Sequence, residues 1–124
     1  MRLVIFDLDG TLIWRAGYDR GASVIPRPYL THFLDQMFRE YRVALYTSST
    51  ISESASIIAK ILTPEQLHSL VFCWFRNNTI SVTEGKPSPV GVPVADPTPT
   101  EKSLRLVFSR YGPDFDYHNT VKIF

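Results

Sequence analysis

Apolar residues along this chain follow two spacings, one typical of buried strands and one typical of amphipathic helices. Continuous apolar runs occur at residues 3–6 and 43–46, and each is short enough to belong to a single buried strand, the first predicted over residues 2–6. Helical spacing comes after each run, and a second helix is predicted from about Ser52 to Leu62. Strands that alternate with helices at these lengths favour parallel pairing through crossovers, so we predict an α/β fold with a parallel sheet and flanking helices. The first helix has its apolar face at Leu30, Phe33, Leu34, Met37 and Phe38.

The connecting segments and the second half of the chain are less regular. Residues 15–23 predict a loop, and a capping box at 63–66 with proline in the first helical position predicts a short helix to about Ser69. The segments 70–75 and 79–83 predict a hairpin-like excursion. A second capping box at 98–101 predicts a final helix with Lys102 in its first turn, which ends at Gly112-Pro113 before a last strand at 120–124.

Composition limits the classes of protein to consider. The 124 residues suffice for one domain, 1–124, and a formal net charge of +1 offers no bulk attraction to nucleic acid or to an anionic membrane. One cysteine, Cys73, excludes an internal disulfide, and its apolar neighbours favour buried filler over a nucleophile. The three histidines lack the spacing of zinc ligands. Because the first apolar run is too short for a leader or a membrane span, we expect a monomeric intracellular protein.

The most informative segment is Asp-Leu-Asp-Gly-Thr-Leu at 7–12, directly after the first apolar run. Residues two apart at the end of a strand can converge on one point, and Gly10 allows the backbone to turn away. Asp7 and Asp9 can therefore share a divalent cation and a phosphate, with Asp7 ionised as nucleophile and Asp9 carrying a proton. A calcium-binding turn is the alternative, but apolar residues stand where an EF-hand needs further oxygen ligands.

Phosphate chemistry at this site needs donors that stabilise the phosphate oxygens. Thr47 and Ser48 stand between the second apolar run and a helix start, where a hydroxyl and backbone amides can bind an anion; a plain helix cap is the other interpretation. A lysine is also needed, and Lys102 and Lys86 are rival candidates, either of which could be a solvated surface residue. Arg27 could clamp an acidic ligand or simply lie at the surface.

The segment 7–12 resembles the first motif of the haloacid dehalogenase superfamily of phosphohydrolases, which has a Rossmann-like core. Residues 27–34 and 41–49 are similar to the branch that dephosphorylates the carboxy-terminal domain of RNA polymerase II, and 102–108 with 119–124 resemble its third-motif region and the strand before its fourth motif. The resemblance implies that Asp7 forms an aspartyl-phosphate, that Asp9 is the general acid/base, and that Thr47 binds phosphate. It implies Lys102 as the third-motif lysine, although the Gly-Lys-Pro around Lys86 resembles the third motif of generic members.

Further expectations follow from the resemblance. Gly10 and Thr11 belong to the phosphate-binding loop, residues 72–99 form a small insertion over the site, and Mg²⁺ is the cofactor, bound by Asp7 and Asp9. The family's fourth motif supplies a metal-binding aspartate after the last strand, and the sequence stops at Phe124 without it. We interpret this as C-terminal truncation, with a pseudoenzyme as the alternative.

The resulting functional hypothesis is a Mg²⁺-dependent phosphatase for phosphoserine and phosphothreonine in proteins, nuclear or cytoplasmic, because an insertion of this size should leave an open groove. A close variant is a small-molecule phosphatase that uses Lys86. A second class is a non-catalytic protein that binds phosphorylated or extended segments. A third is a phosphotransferase or receiver-type domain that retains the aspartyl-phosphate.

Overall fold

The computed structural model describes residues 1–16, 23–81 and 100–124. Within these residues a four-stranded parallel sheet has the order β5-β4-β1-β8 and is flanked by helices, which confirms the predicted α/β fold and its Rossmann-like core. The sheet strands are β1 (Leu3–Phe6), β4 (Arg42–Tyr46), β5 (Cys73–Trp74) and β8 (Thr120–Ile123). The helices are α1 (Leu30–Glu40), α2 (Ile51–Ile61), α3 (Pro64–Ser69) and α4 (Leu104–Tyr111).

Strand β1 is central to the sheet and is buried on both faces, as expected for a parallel strand covered by helices on each side. Its even-numbered side chains, Val4 and Phe6, pack with α1 and α2 residues, and its odd-numbered side chains, Leu3 and Ile5, pack with α4. The core therefore has two layers. The first is mainly aliphatic, and the second is rich in aromatic side chains, namely Tyr46, Phe72, Trp74, Phe108, Tyr111 and Phe115.

The predicted helices and their caps are largely confirmed. Helix α2 begins with a capping box in which Thr50 and Glu53 exchange side-chain and backbone hydrogen bonds, and α3 begins with the predicted box of Thr63 and Gln66. These bonds satisfy amide groups that have no partner inside the helix. Among the described residues, none of the helices combines the length and the apolar character that a membrane span requires.

Two predictions in the second half of the chain are wrong. The segments 70–75 and 79–83 do not form a hairpin, because Cys73–Trp74 joins the main sheet beside β4, while β6 (Ile80–Ser81) pairs antiparallel with β7 (Thr100–Glu101). The predicted capping box at 98–101 does not open the last helix either. Its residues Thr100–Glu101 are a strand, and Ser103 caps α4 instead. Local turn signals were outweighed by pairing with distant strands.

A second small sheet was also missed. Strands β2 (Ile13–Arg15) and β3 (Val24–Pro26) pair antiparallel, so Arg15 ends a strand and does not begin the predicted loop. Residues 17–22 of that loop and the stretch 82–99, which holds most of the expected insertion, lie outside the described residues. The β2–β3 hairpin directly follows the 7–12 segment and borders the candidate site.

Candidate active site

The carboxyl ends of β1 and β4 meet at one edge of the sheet. Asp7 follows β1 and donates its amide to the Ile123 carbonyl at 2.9 Å, and Thr47 follows β4 and donates its amide to Trp74 at 2.9 Å. Both residues thus extend the pairing of their strands by one step. The structure places Asp7, Asp9 and Thr47 beyond the carboxyl ends of parallel strands, which is where the sequence predicts them to lie.

The chain after β1 makes a tight turn that fixes the backbone around Asp9. The Leu8 carbonyl accepts hydrogen bonds from the amides of Leu12 at 2.9 Å and Ile13 at 3.0 Å, and Gly10 donates to Ile13 at 2.8 Å. Gly10 has a φ of 79°, a left-handed conformation that glycine adopts without a steric penalty. The turn is therefore held by its own backbone, and it directs the chain into the β2–β3 hairpin.

Arg27 secures this turn from outside. Its Nε donates to the Thr11 carbonyl at 2.6 Å, although the Arg27 side chain is exposed. The amide of Thr11 donates to Leu8 at 3.3 Å, so the backbone of Thr11 is engaged on both sides. The predicted roles of Gly10 and Thr11 in phosphate binding stay predictions. The structure shows them as the frame of the loop that carries the two acids.

Lys102 lies directly against Asp7. Its Nζ is 3.0 Å from Asp7 Oδ2, and the two side chains are only 14% and 17% exposed. The other carboxylate oxygen, Oδ1, accepts the Leu8 amide at 2.7 Å. The ammonium also sits 4.8 Å from the centre of the Phe124 ring, within range of a cation–π interaction. Lys102 therefore balances the charge of the candidate nucleophile, as expected of the third-motif lysine, while the rival Lys86 lies outside the described residues.

Tyr46 explains how Lys102 reaches this position. Its hydroxyl donates to the Asn78 carbonyl at 2.5 Å and accepts the Ser103 amide at 3.1 Å, so it ties β4 to the residue that follows Lys102. Burial raises the pKa of the Tyr46 hydroxyl above its ordinary value of 10.0, an effect partly offset by the Ser103 hydrogen bond. Lys102 precedes the Ser103 cap and is not in the first helical turn, which corrects the prediction.

Asp9 has a different cation partner, Arg15. The guanidinium Nε contacts Asp9 Oδ1, and Nη2 donates to Oδ2 at 3.1 Å, so both carboxylate oxygens accept from one arginine. The Arg15 side chain is 3% exposed and that of Asp9 is 22% exposed. Planar two-pronged pairs of this kind fix orientation as well as charge. The two candidate catalytic acids are therefore each matched with a separate cation.

A chain of hydroxyl groups connects Arg15 with Thr47. Arg15 Nη2 donates to the buried Ser54 hydroxyl at 2.8 Å, Ser54 contacts Ser49, and the Ser49 hydroxyl lies 2.9 Å from Thr47 Oγ1. Arg15 also donates to the Glu53 carbonyl at 3.0 Å. Thr47 is 1% exposed, so its side chain is part of this internal network. The loop at the end of β4 and the turn that holds Asp9 thus share one set of hydrogen bonds.

Ser48 lies within the same loop and is partly exposed. Its carbonyl accepts from Arg76 Nη1 at 3.4 Å, and the Arg76 amide donates to the Ser49 carbonyl at 2.9 Å. Helix α2 begins only at Ile51, so these residues form a short loop before the helix. The predicted binding of phosphate by Thr47 and Ser48 stays a prediction.

Sequence reasoning missed Arg15 and the buried serines. The sequence predicts a loop at Arg15, but Ile13 and Arg15 share the inner face of a short strand while Trp14 points outward. The alternation of inward and outward side chains at residues 13–15 is the sequence signal that could have placed Arg15, six residues after Asp9, on the side of the site. Ser54 lies on a helix whose apolar pattern gives no reason to expect a buried hydroxyl, and its contacts with Arg15 and Ser49 explain its position.

Cys73 is confirmed as a structural residue of the sheet. It lies in β5, partly buried, and burial raises the pKa of its thiol to about 11. A thiol of this kind is a poor nucleophile near neutral pH. Within residues 1–16, 23–81 and 100–124, no group of three or more His, Cys, Asp or Glu side chains is arranged to hold a metal ion.

Comparison with known proteins places the chain in a family. An α/β core with two acids beyond the first strand, one of them paired with a lysine near the last helix, is the arrangement of a phosphatase of the haloacid dehalogenase type. Residues 2–122 match the family model described as NLI interacting factor-like phosphatase, and the chain belongs to this family. It is thus a member of the branch related to phosphatases of the RNA polymerase II carboxy-terminal domain.

One curated relative supports this membership. An uncharacterized FCP1 homology domain-containing protein of Schizosaccharomyces pombe is 35% identical over 83 residues. The match covers 60% of this chain and 34% of the relative, so the chain spans about a third of that protein's length.

Proposed function

We propose that this chain is a Mg²⁺-dependent phosphatase that forms an aspartyl-phosphate on Asp7 and acts on phosphoserine or phosphothreonine in protein segments. The observation that carries the proposal is the contact of 3.0 Å between Lys102 Nζ and Asp7 Oδ2, with Asp9 two residues away. A lysine in this position stabilises an ionised nucleophile and the phosphate that approaches it. Phosphoryl transfer depends mainly on this kind of positioning and charge stabilisation.

The reaction has two balanced steps. In the first, an Asp7 carboxylate oxygen attacks phosphorus, the bond from phosphorus to the serine or threonine oxygen breaks, and Asp9 gives a proton to that oxygen. In the second, water attacks phosphorus while Asp9 takes one of its protons, and the bond from phosphorus to Asp7 breaks. Inorganic phosphate leaves, and both acids return to their starting forms.

The donor set fits Mg²⁺, which phosphatases of this superfamily generally use. This ion accepts one or two carboxylates together with phosphate and water, so a small set of protein oxygens suffices. The Asp7 carboxylate and the Asp9 main-chain carbonyl would hold it, because the Asp9 side chain is already engaged by Arg15. Bound there, the ion would supply positive charge to the phosphate oxygens.

A groove beside the site supports a protein substrate. It has a volume of about 260 Å³ and runs from Gly10 along Trp14, Ile25 and Pro28. Trp14 is 58% exposed and Ile25 is 56% exposed, so a largely apolar surface lies open next to the catalytic turn. An extended chain that flanks a phosphorylated residue could lie along this surface, whereas the hydroxyl groups of a sugar phosphate would find few polar partners there.

The test is phosphate release from a phosphoserine peptide, p-nitrophenyl phosphate and a panel of sugar phosphates, measured with and without EDTA. We expect the peptide to have the highest kcat/KM and EDTA to abolish turnover. Asp7→Asn should remove activity with all substrates, because its amide cannot attack phosphorus, while the thermal unfolding midpoint changes little. Glu40→Gln, a change at an exposed acid, is the matched control.

Other outcomes would point to the remaining hypotheses. Preference for a sugar phosphate would replace the protein substrate with a metabolite. Full activity of Asp7→Asn would remove Asp7 as nucleophile. Peptide binding without turnover would indicate a non-catalytic binding protein, and an aspartyl-phosphate that persists for minutes would indicate a phosphotransferase or receiver-type role.

A further inference from the structure

We propose that Arg15 is a positioning residue that holds Asp9 in place as the proton acceptor of the second step and couples it to the loop at Thr47. This inference rests on the proposed phosphatase function. It starts from a single fact of geometry, namely that both oxygens of Asp9 accept hydrogen bonds from the same buried guanidinium.

Arg15 has too many fixed contacts to be an ordinary surface ion pair. Its side chain is 3% exposed, and besides Asp9 it donates to the Glu53 carbonyl at 3.0 Å and to the Ser54 hydroxyl at 2.8 Å. These two partners belong to α2, so Arg15 contacts that helix as well as Asp9. The guanidinium is thus held by the helix, and the carboxylate of Asp9 is held by the guanidinium. A lysine could not reproduce this planar fork.

The contacts of Ser54 extend the same unit to the second strand end. Its hydroxyl contacts Ser49, whose hydroxyl lies 2.9 Å from Thr47 Oγ1, and all three side chains are buried. Thr47 is the predicted phosphate-binding residue. A displacement of Arg15 would therefore disturb both Asp9 and the loop that contains Thr47, through contacts that buried groups cannot readily replace with water.

The contacts of Asp9 suit the second step of the reaction, hydrolysis of the aspartyl-phosphate, better than the first. A carboxylate whose two oxygens accept from a guanidinium is in the form that takes a proton, as hydrolysis of the aspartyl-phosphate requires. In that step water attacks phosphorus, a proton moves from water to an Asp9 oxygen, and the bond from phosphorus to Asp7 breaks. Loss of Arg15 should therefore slow the second step more than the first.

The experiment is a burst measurement with p-nitrophenyl phosphate, whose leaving group needs little help from an acid. For Arg15→Gln we expect one equivalent of p-nitrophenol to be released rapidly and steady turnover to fall about 100-fold, as for displaced catalytic groups in general. KM should change little, and rapid quench should show phosphoenzyme accumulating. Arg15→Lys should recover part of the rate. Arg39→Gln, at an exposed arginine of α1, should behave as wild type.

A double mutant separates positioning from a general structural effect. In an Asp9→Asn background, Arg15→Gln should lower turnover by no more than about twofold further, because residues that act as a unit have non-additive effects. The proposal would be overturned if the losses in turnover of the two single mutants multiplied in the double mutant. It would also be overturned if Arg15→Gln turned over as fast as wild type or faster. A loss of activity without accumulation of phosphoenzyme would overturn it too.

Urea unfolding provides a readout that does not depend on activity. The midpoint shifts of Arg15→Gln and Asp9→Asn should be clearly non-additive in the double mutant if the two groups are paired. Additive shifts would contradict the pairing itself. If wild type shows no phosphatase activity but the unfolding shifts are non-additive, the proposed function fails while the contact stands. If wild type is active and Arg15→Gln shows no burst, the positioning role fails alone.

Discussion

The two acids of the site acquire their cations from regions of very different kinds. Asp9 is paired with Arg15, six residues away, within a turn and hairpin that the local backbone closes. Asp7 is paired with Lys102, which comes from the other end of the chain, next to α4. The first pair can form once one hairpin folds against α2, whereas the second requires β4 and α4 to be in place.

This difference shows how the reactive centre depends on the whole fold. Strand β8 brings Phe124 beside Lys102, and Tyr46 on β4 fixes the segment at Ser103. The position of Lys102 is thus set by groups from three strands of the sheet, namely Asp7 after β1, Tyr46 on β4 and Phe124 after β8. A change on the Lys102 side should disturb the nucleophile, and a change on the Arg15 side should disturb the proton transfer.

Among the variants that test the two ion pairs, Lys102→Met should have the largest effect on activity. Removal of the ammonium leaves Asp7 and the phosphate without their nearest fixed cation, and we expect kcat to fall about 100- to 1,000-fold, as when a key charge-stabilising donor is lost. Steady-state kinetics with p-nitrophenyl phosphate is the measurement. Because we propose that Lys102 acts on the first step, we expect no burst to accompany the loss, in contrast to Arg15→Gln.

Two further variants decide whether that effect is specific. Lys60→Met, at an exposed lysine near the end of α2, should have wild-type kinetics. If Lys102→Met is nearly as active as wild type and Lys86→Met is not, then Lys86 is the third-motif residue and the assignment of Lys102 is wrong.

Tyr46→Phe should lower the free energy of unfolding and loosen the segment at Ser103 that positions Lys102. It leaves the Ser103 amide and the Asn78 carbonyl without the hydroxyl between them, so we expect a loss of about 1–3 kcal/mol in the free energy of unfolding. Urea denaturation is the measurement, and the burst behaviour should stay that of wild type. An unchanged free energy of unfolding would mean that the hydroxyl does not hold the Ser103 segment.

The effect of Tyr46→Phe should also depend on pH, with a sign fixed by the raised pKa of Tyr46. A folded-state pKa above the ordinary value of 10.0 means that the native protein favours the neutral hydroxyl. That contribution to stability is complete below about pH 10 and is lost as the pH rises further. The difference in free energy of unfolding between wild type and Tyr46→Phe should therefore become smaller above about pH 10. A larger difference at high pH would contradict the burial of the hydroxyl.

The smallest expected effect is the loss of stability from Gly10→Ala, in the turn that carries Asp9. No heavy atom lies within 4 Å of a Cβ built at Gly10, so the cost comes from the φ of 79° alone. We expect about 1 kcal/mol less stability by urea denaturation, as is typical of a left-handed backbone conformation with a side chain. Gly10→Asn should cost less, because asparagine tolerates this region. Equal losses would indicate a packing effect instead.

Much of this fold could be predicted from periodicity and local chemistry. The strand at Leu3–Phe6, the helix at Leu30–Glu40 and the capping box of Thr63 and Gln66 were all predictable, because each depends on residues close together in the chain. The convergence of Asp7, Asp9 and Thr47 also followed, since parallel strands that alternate with helices place their carboxyl ends at one edge.

What the tertiary structure decided is which distant groups meet at that edge. Thr100–Glu101 looked like a helix cap but pairs with Ile80–Ser81, and Arg15 looked like a loop residue but is buried between Asp9 and Ser54. Neither outcome has a strong local signal, because pairing partners and burial depend on residues far apart in sequence. The sequence by itself determined the two acids and the sheet that carries them. Their cations were selected by packing, because the energy of a charge pair depends on distances that only the folded chain defines.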